Sequence, residues 1–574
     1  MMANGWVPPL VLAMFLLAAC TPAAPAPTTS GQSSAGVEVQ RGASKSLVLA
    51  LETEPSDAFV GSIGGGSGTV AGNVQLAVHQ WLACYDDRGN AYPMLATALP
   101  SRDNGTWIIR PDGTMQTTYR IHPNVTWHDG APLTAKDFVF AWTATRDPEV
   151  PMRSRSIAVQ ITSIATPDDY TLVMEWGKTY PFAGAFLDDE IGPMPAHLLE
   201  PTYLADKERF SQLPYWTREF VGVGPYRLAE WSPGSHMTLR AYDGFFGGRA
   251  KIDTITLTFI SNAPTAVASL LSGAIDGAIP RTLDFTDVVF VKEEWERQGK
   301  HPVAIIQPTH LRVLEPQFRD PAVPEILDIR FRRALLHAID RAALVDALLQ
   351  GTGPVADSFV PPDDPKYAWV NDVITRYPHD PRRALDLLGE LGWRRDASGS
   401  IHDARGQVGT IPLATSEGAQ STREQAIIAD NWRSLGFRVD ETARTAAEAR
   451  DNRLNSIFPG FSASAGPLTF EHIISRVHSI YCPGDQNRWA GANHGCYRSG
   501  ENDRLIDGLQ IAIDESDQRR LYRDLVKLQT EDLPYYPLYY NPQATILREG
   551  VIGVKGDTKP RTAMTWNVLE WDVR

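Results

Sequence analysis

The apolar positions change their spacing along the chain, which is typical of a protein that mixes strands and helices. In SLVLALETEP the large residues Leu47, Leu49 and Leu51 occupy alternate positions, which predicts a strand with one buried face. In RFRRALLHAID and RAALVDALLQG the apolar residues instead recur every three or four positions, which predicts two consecutive helices. Asp340, which lies between them, is a favoured N-cap residue, and Gly351 is a favoured helix terminator.

Two further segments have helical spacing. The apolar residues of NVQLAVHQWLACYD predict a helix that continues through Leu82. In DPRRALDLLGELGW, Asp380 is the predicted N-cap, Pro381 the first-turn residue and Gly392 the stop. These patterns fix where scaffold elements lie, and they contain no information about a ligand.

The segment TYRIHPNVTWHDGAPLTAKDFVFAW, residues 118–142, combines a strand, a turn and a helix start. We expect a short strand at its beginning, a turn at Asp129 and a helix that begins with a capping box of Thr134 and Asp137. His122 and His128 invite a metal-site interpretation. We discount it, because no carboxylate or third imidazole stands at ligand spacing.

The N-terminal segment has the pattern of an export signal. Its apolar run, residues 6–19, is too short for the roughly 20 residues that span a bilayer as a helix, and it is typical of a signal-peptide core. The run ends with Ala18 and Ala19, and Cys20 follows; these residues resemble the lipobox of bacterial lipoproteins, which implies cleavage before Cys20 and its lipidation. An ordinary cleaved signal and a buried N-terminal helix are the alternatives. The segment from Cys20 to residue 44 is rich in Pro, Ala, Thr, Ser and Gly, so we expect a disordered tether.

Composition excludes several classes of function. About 530 residues follow the tether, which suits two or three domains. The formal net charge is -14, which argues against a nucleic-acid partner, because phosphate binding needs clustered Lys and Arg. The glycine-rich stretch GSIGGGSGTVAGN is not followed by Gly-Lys-Ser or Gly-Lys-Thr, so it is not a phosphate-binding loop.

The four cysteines have separate expected roles. Beyond Cys20, the pair Cys482 and Cys496 is close enough in sequence to close one loop by a disulfide, as an exported protein permits. The alternative is a metal site with His494, but two thiols and one imidazole match structural zinc poorly. Cys84 is then expected as a buried free thiol.

The segment WHDGAPLTAKDFVFAW resembles the signature of the family 5 extracellular solute-binding proteins, the oligopeptide, dipeptide and nickel binders of ABC importers. Five further blocks resemble the same family in the same order: GVGPYRLAEW, LLSGAIDGAIP, DIRFRRALLHAIDRAALVDALLQGTGPVADSFVPP, YPHDPRRALDLLGELGW and ENDRLIDGLQIAIDESDQRRLYRDLVKLQTEDLPYYPLYY. Together the six blocks cover most of the chain that follows the tether.

The resemblance implies an α/β, two-lobed periplasmic-binding-protein-like fold (type II, cluster C) with a ligand cleft between the lobes. We expect a signal peptide at 1–19 and a tether at 20–44. The bounds expected for the two lobes and for an extra subdomain inserted in lobe I are as follows: lobe I at 45–304 plus 535–574, the inserted subdomain at about 91–220, and lobe II at 305–534. The chain then crosses between lobes in HPVAIIQPTH and in DLPYYPLYYN.

The same resemblance implies an extracytoplasmic receptor that captures a solute and delivers it to an ABC permease with a cytoplasmic ATPase. Such a receptor is a monomer held at the membrane by its lipid, it is not an enzyme, and it needs no cofactor and no resident metal. Ligand stabilises the closed form of two hinged lobes by its differential affinity for that form.

The solute is less well defined. Peptide-binding members carry a carboxylate that pairs with the peptide amine, but the corresponding stretch GFSASAGPLTF has no Asp or Glu before Glu471. An unpaired buried ammonium is costly, so this wall suits a neutral or sugar-like ligand, or a peptide held mainly through its backbone. The ligand-binding residues expected on this basis are Glu54, Ser56, Phe461, Ser462, Ser464, Trp489, Asn493 and Tyr497.

Three other functions stay open at this point. An exported hydrolase is the first, although the chain has neither a G-x-S-x-G elbow in GGGSGTV or GFSASAG nor an H-E-x-x-H pair. Scattered carboxylates could still form a glycosidase pair in space. The second is an oligosaccharide-binding member of the same receptor family, and the third is a lipoprotein that uses this fold outside transport.

Overall fold

A ten-stranded mixed sheet runs through the body of the chain in this computed structural model. The structure describes residues 44–55, 75–87, 89–152, 155–184, 191–445, 447–556 and 564–574. Residues Lys45–Arg574 form one unit. The predictions for the signal segment, for Cys20 and for Ser56 lie outside the described residues.

The strands are two to seven residues long, apart from two long ones in the middle of the large sheet. In chain order they are β1 Ser46–Leu51, β2 Ala83–Tyr85, β3 Ala91–Pro93, β4 Trp107–Ile109, β5 Met115–Arg120, β6 Ile161–Ala165, β7 Thr171–Trp176, β8 Tyr226–Ser232, β9 His236–Ala241, β10 Thr254–Phe259, β11 Gly277–Ala278, β12 Val303–Pro316, β13 Arg394–Arg395, β14 Ile401–His402, β15 Thr410–Ser416, β16 Arg438–Arg444, β17 Phe461–Pro467, β18 Tyr536–Leu547, β19 Val551–Ile552 and β20 Asp572–Val573.

The helices lie between these strands, and the described part of α1 is residues 75–78. The others are α2 Ala135–Arg146, α3 Ala196–Ala205, α4 Lys207–Ser211, α5 Ala263–Ser272, α6 Phe285–Arg297, α7 Ile329–Ala338, α8 Arg341–Leu349, α9 Tyr367–Val370, α10 Pro381–Glu390, α11 Ala419–Ser434, α12 Phe470–Val477, α13 Gly500–Ile511 and α14 Glu515–Asp532. Among the described residues, every helix is too short or too polar to cross a membrane.

The large sheet has the strand order β16-β15-β17-β12-β18-β11-β1-β10-β9-β8. The predicted strand β1 is confirmed, and Leu47, Leu49 and Leu51 are all buried. It pairs in parallel with β10 and β11, and β10, β9 and β8 continue as antiparallel neighbours. The strands expected in the first lobe thus occupy one end of the sheet.

A second sheet of four antiparallel strands, in the order β4-β5-β7-β6, lies within the segment expected as the inserted subdomain. The capping box of Thr134 and Asp137 at the start of α2 is confirmed. Asp137 also accepts a hydrogen bond from the Ala196 amide at 2.9 Å, which ties the start of α2 to the start of α3.

The helix expected through Leu82 ends at residue 78, and this prediction is wrong. The Gly224 amide donates to the Val78 carbonyl at 3.0 Å, so that carbonyl does not accept from residue 82. A Cβ at Gly224 would lie 2.4 Å from the Val78 carbonyl carbon, so only glycine permits this approach. The carbonyls of Trp81 and Leu82 instead accept hydrogen bonds from the amides of residues 94–96, which directly follow β3.

The two long strands β12 and β18 are antiparallel partners over most of their length. Residues 303–308 of β12 pair with the end of β18 that also contacts β11, whereas residues 310–316 pair with β17 as well. The register shifts between Pro308 and His310, and Pro308 stands opposite Pro542. The stretches expected to cross between lobes therefore lie in or lead into these two strands, and the change of partners falls a few residues beyond the predicted bounds.

The second half of the sheet is covered on both faces. Buried residues of α7, α8, α10 and α11 pack on one face with Leu314 of β12, and those of α12, α13 and α14 pack on the other face with Val313. The predicted caps are confirmed: Asp340 accepts from the Ala343 amide at the start of α8, and Asp380 accepts from two amides at the start of α10.

Candidate functional site

A cavity of about 360 Å³, which we call the aromatic pocket, lies between segments from the two halves of the chain. Its volume falls in the range typical of small-molecule sites. One side comes from residues before β8 and the other from residues after β12. The lining residues are Tyr85, Gly89, Asn90, Pro181, Phe182, Asp364, Pro365, Lys366, Trp369, Leu468, Phe470, Glu471, Leu509, Gln518 and Tyr522.

Rings from three helices form the floor of the aromatic pocket. Tyr522 of α14 is buried, and its ring meets Trp369 of α9 edge to face at 6.3 Å. Phe470 stands in the first turn of α12, where Thr469 caps the helix, and its ring lies 6.2 Å from that of Tyr522. The Lys366 ammonium lies 5.3 Å from the Tyr522 ring centre, a favourable cation–π contact. The floor of the pocket is therefore apolar, and its rings are held in place by contacts with one another and with Lys366.

Charged groups of both signs line the same cavity. Glu471 follows Phe470 in the first turn of α12, and Asp364 accepts a hydrogen bond from the Lys366 amide at 2.8 Å. Glu471 is the first carboxylate after GFSASAGPLTF, and the structure brings it into the pocket. Rings with a few convergent charges suit a solute that has both apolar side groups and charged ends.

A second cavity of about 300 Å³, the hinge pocket, lies where β12 and β18 exchange partners. It is polar, and its lining residues are Glu52, Arg281, Leu283, Asp284, Phe285, His310, Gln420, Asn541, Pro542 and Gln543. Gln420 of α11 donates to the Asn541 side chain at 2.8 Å and to the Tyr539 hydroxyl at 3.1 Å. These bonds tie α11 to β18 beside the hinge.

Arg281 and His310 define the electrostatics of the hinge pocket. Arg281 has a backbone φ of 77°, which is strained for a residue with a side chain, and such strain is concentrated at functional sites. Its Nε lies 3.6 Å from Oε2 of Glu52. Burial, with the nearby Arg281 and Arg312, lowers the pKa of His310 to about 4, so its imidazole is neutral at pH 7.

The two pockets are neighbours. The Leu468 amide donates to the Thr309 carbonyl at 3.0 Å, and Leu468 lines the aromatic pocket while His310, the next residue after Thr309, lines the hinge pocket. The two pockets therefore adjoin each other at the end of β17, beside the hinge.

A group of charged and hydroxyl side chains lies on one face of β17 and β12. We call Glu315, Arg444, Ser462, Ser464 and Arg476 the β17 polar cluster. Arg444 donates to the Ser462 hydroxyl at 2.7 Å, and Arg476 donates to the Ser464 hydroxyl at 2.7 Å and to the Glu315 carboxylate. Ser464 also donates to Oε1 of Glu315 at 3.1 Å, so this oxygen of the buried carboxylate accepts from both Ser464 and Arg476.

Three imidazoles border the polar cluster or the strand end next to it. Arg476 donates to Nε2 of His472 at 3.0 Å, and burial with this guanidinium lowers the pKa of His472 to about 3. Burial also lowers the pKa of His494, whose Nδ1 lies 4.0 Å from Glu315. Together with His310 these groups are neutral at pH 7, so the arginines set the charge of this region.

The alternation of β17 separates the residues predicted in GFSASAGPLTF. Ser462 pairs with Glu315 and lies on the face of the polar cluster, whereas Phe461 points to the opposite face. Its ring packs in the core, 5.1 Å from the Trp432 ring and 5.4 Å from the Tyr536 ring, and it is 0% exposed. The expectation that Phe461 contacts solute is corrected by this packing.

The predicted residue Glu54 is also engaged elsewhere. Its two oxygens accept from the Trp231 indole at 2.6 Å and from the Gly234 amide at 2.8 Å, in and just after β8. It lines neither pocket, whereas Glu52, two residues earlier, lines the hinge pocket.

The residues predicted in the disulfide loop serve the loop itself. Cys482 and Cys496 are joined by a disulfide. Asn493 is buried, and its side chain donates to the carbonyls of His478 and Tyr497. These bonds hold the closed loop in its shape.

The two rings of this region have contacts outside the pockets. The Tyr497 hydroxyl donates to Asp532 at 2.5 Å, and the guanidinium groups of Arg319 and Arg453 lie 5.2 and 5.4 Å from the centre of the Trp489 ring. Neither ring lines one of the two pockets, so the structure does not bring the residues predicted in the disulfide loop into them.

The residues considered for metal have structural roles. Nδ1 of His128 accepts from the Gly222 amide at 3.2 Å, and its Nε2 lies 3.0 Å from the Gly224 carbonyl. Within the part of the chain that the structure describes, no group of three or more His, Cys, Asp or Glu side chains is placed to hold a metal ion. Cys84 is buried and outside any disulfide.

Comparison with known proteins identifies the architecture. A model of the bacterial extracellular solute-binding proteins, family 5 Middle, matches residues 90–468. The oligopeptide-binding protein AppA of Bacillus subtilis (strain 168) is 24% identical over 589 residues, which cover 98% of this chain and 97% of AppA.

Two solved structures show the same fold. AppA from Bacillus subtilis in complex with a nonapeptide has a TM-score of 0.69 at 21% identity, and the match covers 92% of this chain and 99% of that chain. NikZ from Campylobacter jejuni in complex with Ni(L-His) has a TM-score of 0.71 at 21% identity, with the same coverage of 92% and 99%. The predicted two-lobed α/β architecture is thereby confirmed.

The family model covers more than half of the chain, and AppA matches nearly its whole length. The chain therefore belongs to family 5 of the bacterial extracellular solute-binding proteins, which are substrate-binding receptors of ABC transporters and not enzymes.

Proposed function

We propose that this chain captures peptides or related polar oligomeric solutes between its lobes and delivers them to the permease of an ABC importer. The observation that carries the proposal is the aromatic pocket, whose walls come from both halves of the chain. A solute that touches both walls stabilises the closed arrangement by its differential affinity for it. The permease then receives the solute from the closed form, and a separate ATPase subunit supplies the energy.

Several features support peptides. Rings for apolar side chains stand beside Asp364, Glu471 and Lys366, which can pair with an amine or a carboxylate. The relative AppA is named an oligopeptide-binding protein, and its structure contains a nonapeptide. NikZ holds Ni(L-His) in the same fold, so a small charged complex is also compatible with this architecture.

The proposal extends to location and partners. The pattern of residues 6–20 supports lipid anchoring through Cys20, which would confine the receptor beside its permease and raise the effective concentration of one for the other. A monomer satisfies this role, because one chain supplies both walls of the aromatic pocket.

The test is native mass spectrometry of the protein purified from a peptide-rich medium, followed by calorimetry after the retained solute has been removed. We expect peptides released unaltered and rebound with closure visible in small-angle scattering. Trp369→Ala should weaken binding at least about 10-fold, because it removes a ring of the pocket floor. Trp489→Ala is the matched control and should bind like the wild type, since this ring lies outside both pockets.

Three other results would contradict the proposed function. Covalently altered peptides or glycans after incubation would favour an exported hydrolase. Retained oligosaccharides without peptides would favour the sugar-binding alternative, and an identical scattering profile with every solute would contradict a closing receptor.

A further inference from the structure

Arg444 lies at the carboxyl end of β16, on the same side of the sheet as the end of β17 that pairs with His310, although it lines neither pocket itself. It is the last residue of β16 and pairs with Ser416, the last residue of the parallel strand β15. In open α/β sheets, ligands bind outside the carboxyl ends of the parallel strands. The chain continues from Ser416 into α11, whose residue Gln420 lines the hinge pocket.

The same edge is reached from β17. This strand runs parallel to β15, and its last residue, Pro467, pairs with His310 of the hinge pocket. The carboxyl ends of β15, β16 and β17 thus all lie on the side of the cleft, and Arg444 lies there with the polar face of β17.

The guanidinium of Arg444 is incompletely paired. Its Nη2 donates to Ser462 at 2.7 Å, whereas Nε and Nη1 are shielded from solvent and have no hydrogen-bond partner among the described residues. Leaving donors of a charged group unpaired away from water is unfavourable, and a guanidinium does not lose its charge at physiological pH. Two donors in a planar fork match the two oxygens of a carboxylate.

The neighbouring acidic group does not satisfy this arginine. Glu315 is bound by Arg476 and by Ser464, and it is 4% exposed. Glu448 is the second carboxylate near Arg444, but its Oε2 accepts hydrogen bonds from the amide and hydroxyl of Thr445. The fork of Nε and Nη1 is therefore left without a carboxylate partner among the described residues.

We infer that Arg444 binds a carboxylate of the solute. The inference rests on the proposed function. It adds to the expectation for this wall, because Arg444 of β16 lies beside the segment that has no carboxylate to pair with an amine. Ser462 positions the guanidinium for this contact. The carboxylate can come from the C terminus of a peptide or from a metal–polycarboxylate complex, and the test distinguishes these sources.

The test uses the full chain freed of retained solute and a randomised pentapeptide pool in four forms: free, N-acetylated, C-amidated and blocked at both ends. Fe(III)-EDTA is the probe for the second source. For the wild type we expect C-amidation to weaken binding about 10- to 100-fold, because it removes a charge-assisted hydrogen-bonded pair. N-acetylation should weaken binding less than about threefold.

Three variants accompany the wild type. Arg444→Gln should weaken binding of the free pool about 10- to 100-fold and make free and amidated pools equal, because the guanidinium is gone. The affinity of Arg444→Lys for the free pool should lie between those of the wild type and Arg444→Gln, since lysine keeps the charge but lacks the planar pair of donors. Arg438→Gln removes an exposed arginine from the opposite end of the same strand and should bind like the wild type.

The outcomes separate the inference from the proposed function. If Fe(III)-EDTA binds in an Arg444-dependent manner and peptides do not, the carboxylate comes from the metal complex. If peptides bind and amidation has no effect, the inference fails while the receptor function stands. If no probe binds, both fail. The wild-type amidation result alone does not distinguish Arg444 from Lys366 of the aromatic pocket, so the comparison of free and amidated pools with Arg444→Lys decides the question if Arg444→Gln does not fold.

Discussion

Arg312 and Glu424 form a buried ion pair with two hydrogen bonds, and its disruption tests how the strand β12 is held in place. Arg312 of β12 donates through Nε to Oε2 of Glu424 at 2.9 Å and through Nη2 to Oε1 at 2.6 Å. The side chains are 9% and 0% exposed. The Tyr539 hydroxyl of β18 donates to the same carboxylate at 2.6 Å, so three elements meet at Glu424.

We expect Arg312→Met to lower the free energy of unfolding by about 3 kcal/mol. Removing one partner of a buried ion pair costs about 3 to 5 kcal/mol, because the other charge stays buried. The bond from Tyr539 remains, so the loss should lie near the lower limit. The double variant Arg312→Met with Glu424→Met should lie within about 1 kcal/mol of the wild type, since replacing both charges by apolar groups is often neutral.

The assay is urea unfolding followed by far-ultraviolet circular dichroism, with the slope checked for a cooperative transition. Arg433→Met is the matched control: its pair with Glu441 is exposed at 43% and 30%, so the loss should stay below about 1 kcal/mol. A loss below 1 kcal/mol for Arg312→Met, or a double variant less stable than the single one, would refute this account of the buried pair.

Three further predictions concern stability. Burial lowers the pKa of His79 to about 3, so the folded chain keeps it neutral while the unfolded chain protonates it below about pH 6.5. The stabilisation is present above pH 6.5 and falls by about 2 kcal/mol from there to pH 5; His79→Leu should remove this part of the slope in urea titrations, and equal slopes would contradict the assignment. Replacing Cys482 and Cys496 by Ala should cost about 3 kcal/mol, because the pair closes a loop of 14 residues, and full retention of the urea midpoint would argue against the loop-closure effect. Gly224→Ala should cost about 3 kcal/mol or more, since its Cβ would lie 2.4 Å from the Val78 carbonyl carbon, whereas Gly500→Ala, with no atom within 4 Å, should change the melting temperature little.

The scaffold could be predicted from the sequence because its signals are local. The alternating leucines of β1, the capping box at Thr134 and the caps at Asp340 and Asp380 each depend on residues within a few positions of one another. The prediction that the first helix continues through Leu82 was wrong for the opposite reason. The end of this helix is set by Gly224, far along the chain, which takes the Val78 carbonyl as its acceptor.

The binding residues were harder to predict because no short segment contains them. The aromatic pocket joins segments near 85–90, 181–182, 364–369, 468–471 and 509–522, and only the fold brings them together. The strand alternation does, however, contain one local signal. The period of two in FSASAGP places Phe461 on the face opposite to Ser462 and Ser464, so a single strand could not present all three to one solute.

The two pockets lie at different positions relative to the hinge, so we expect them to have different roles in recognition. Pro308 and Pro542 face each other in the β12–β18 ladder, and neither residue has an amide hydrogen, so the ladder is weakest where the strands change partners. The hinge pocket is lined by residues of these strands together with others such as Glu52, Arg281 and Gln420. It lies at the point of bending, where displacements are smallest, so we expect the surroundings of a solute group held there to change little on closure. The walls of the aromatic pocket come from the two halves of the chain, so contacts across it differ most between open and closed forms. Only such differences shift the equilibrium, and we therefore expect the aromatic pocket to drive closure while the hinge pocket and Arg444 select the charge of the solute.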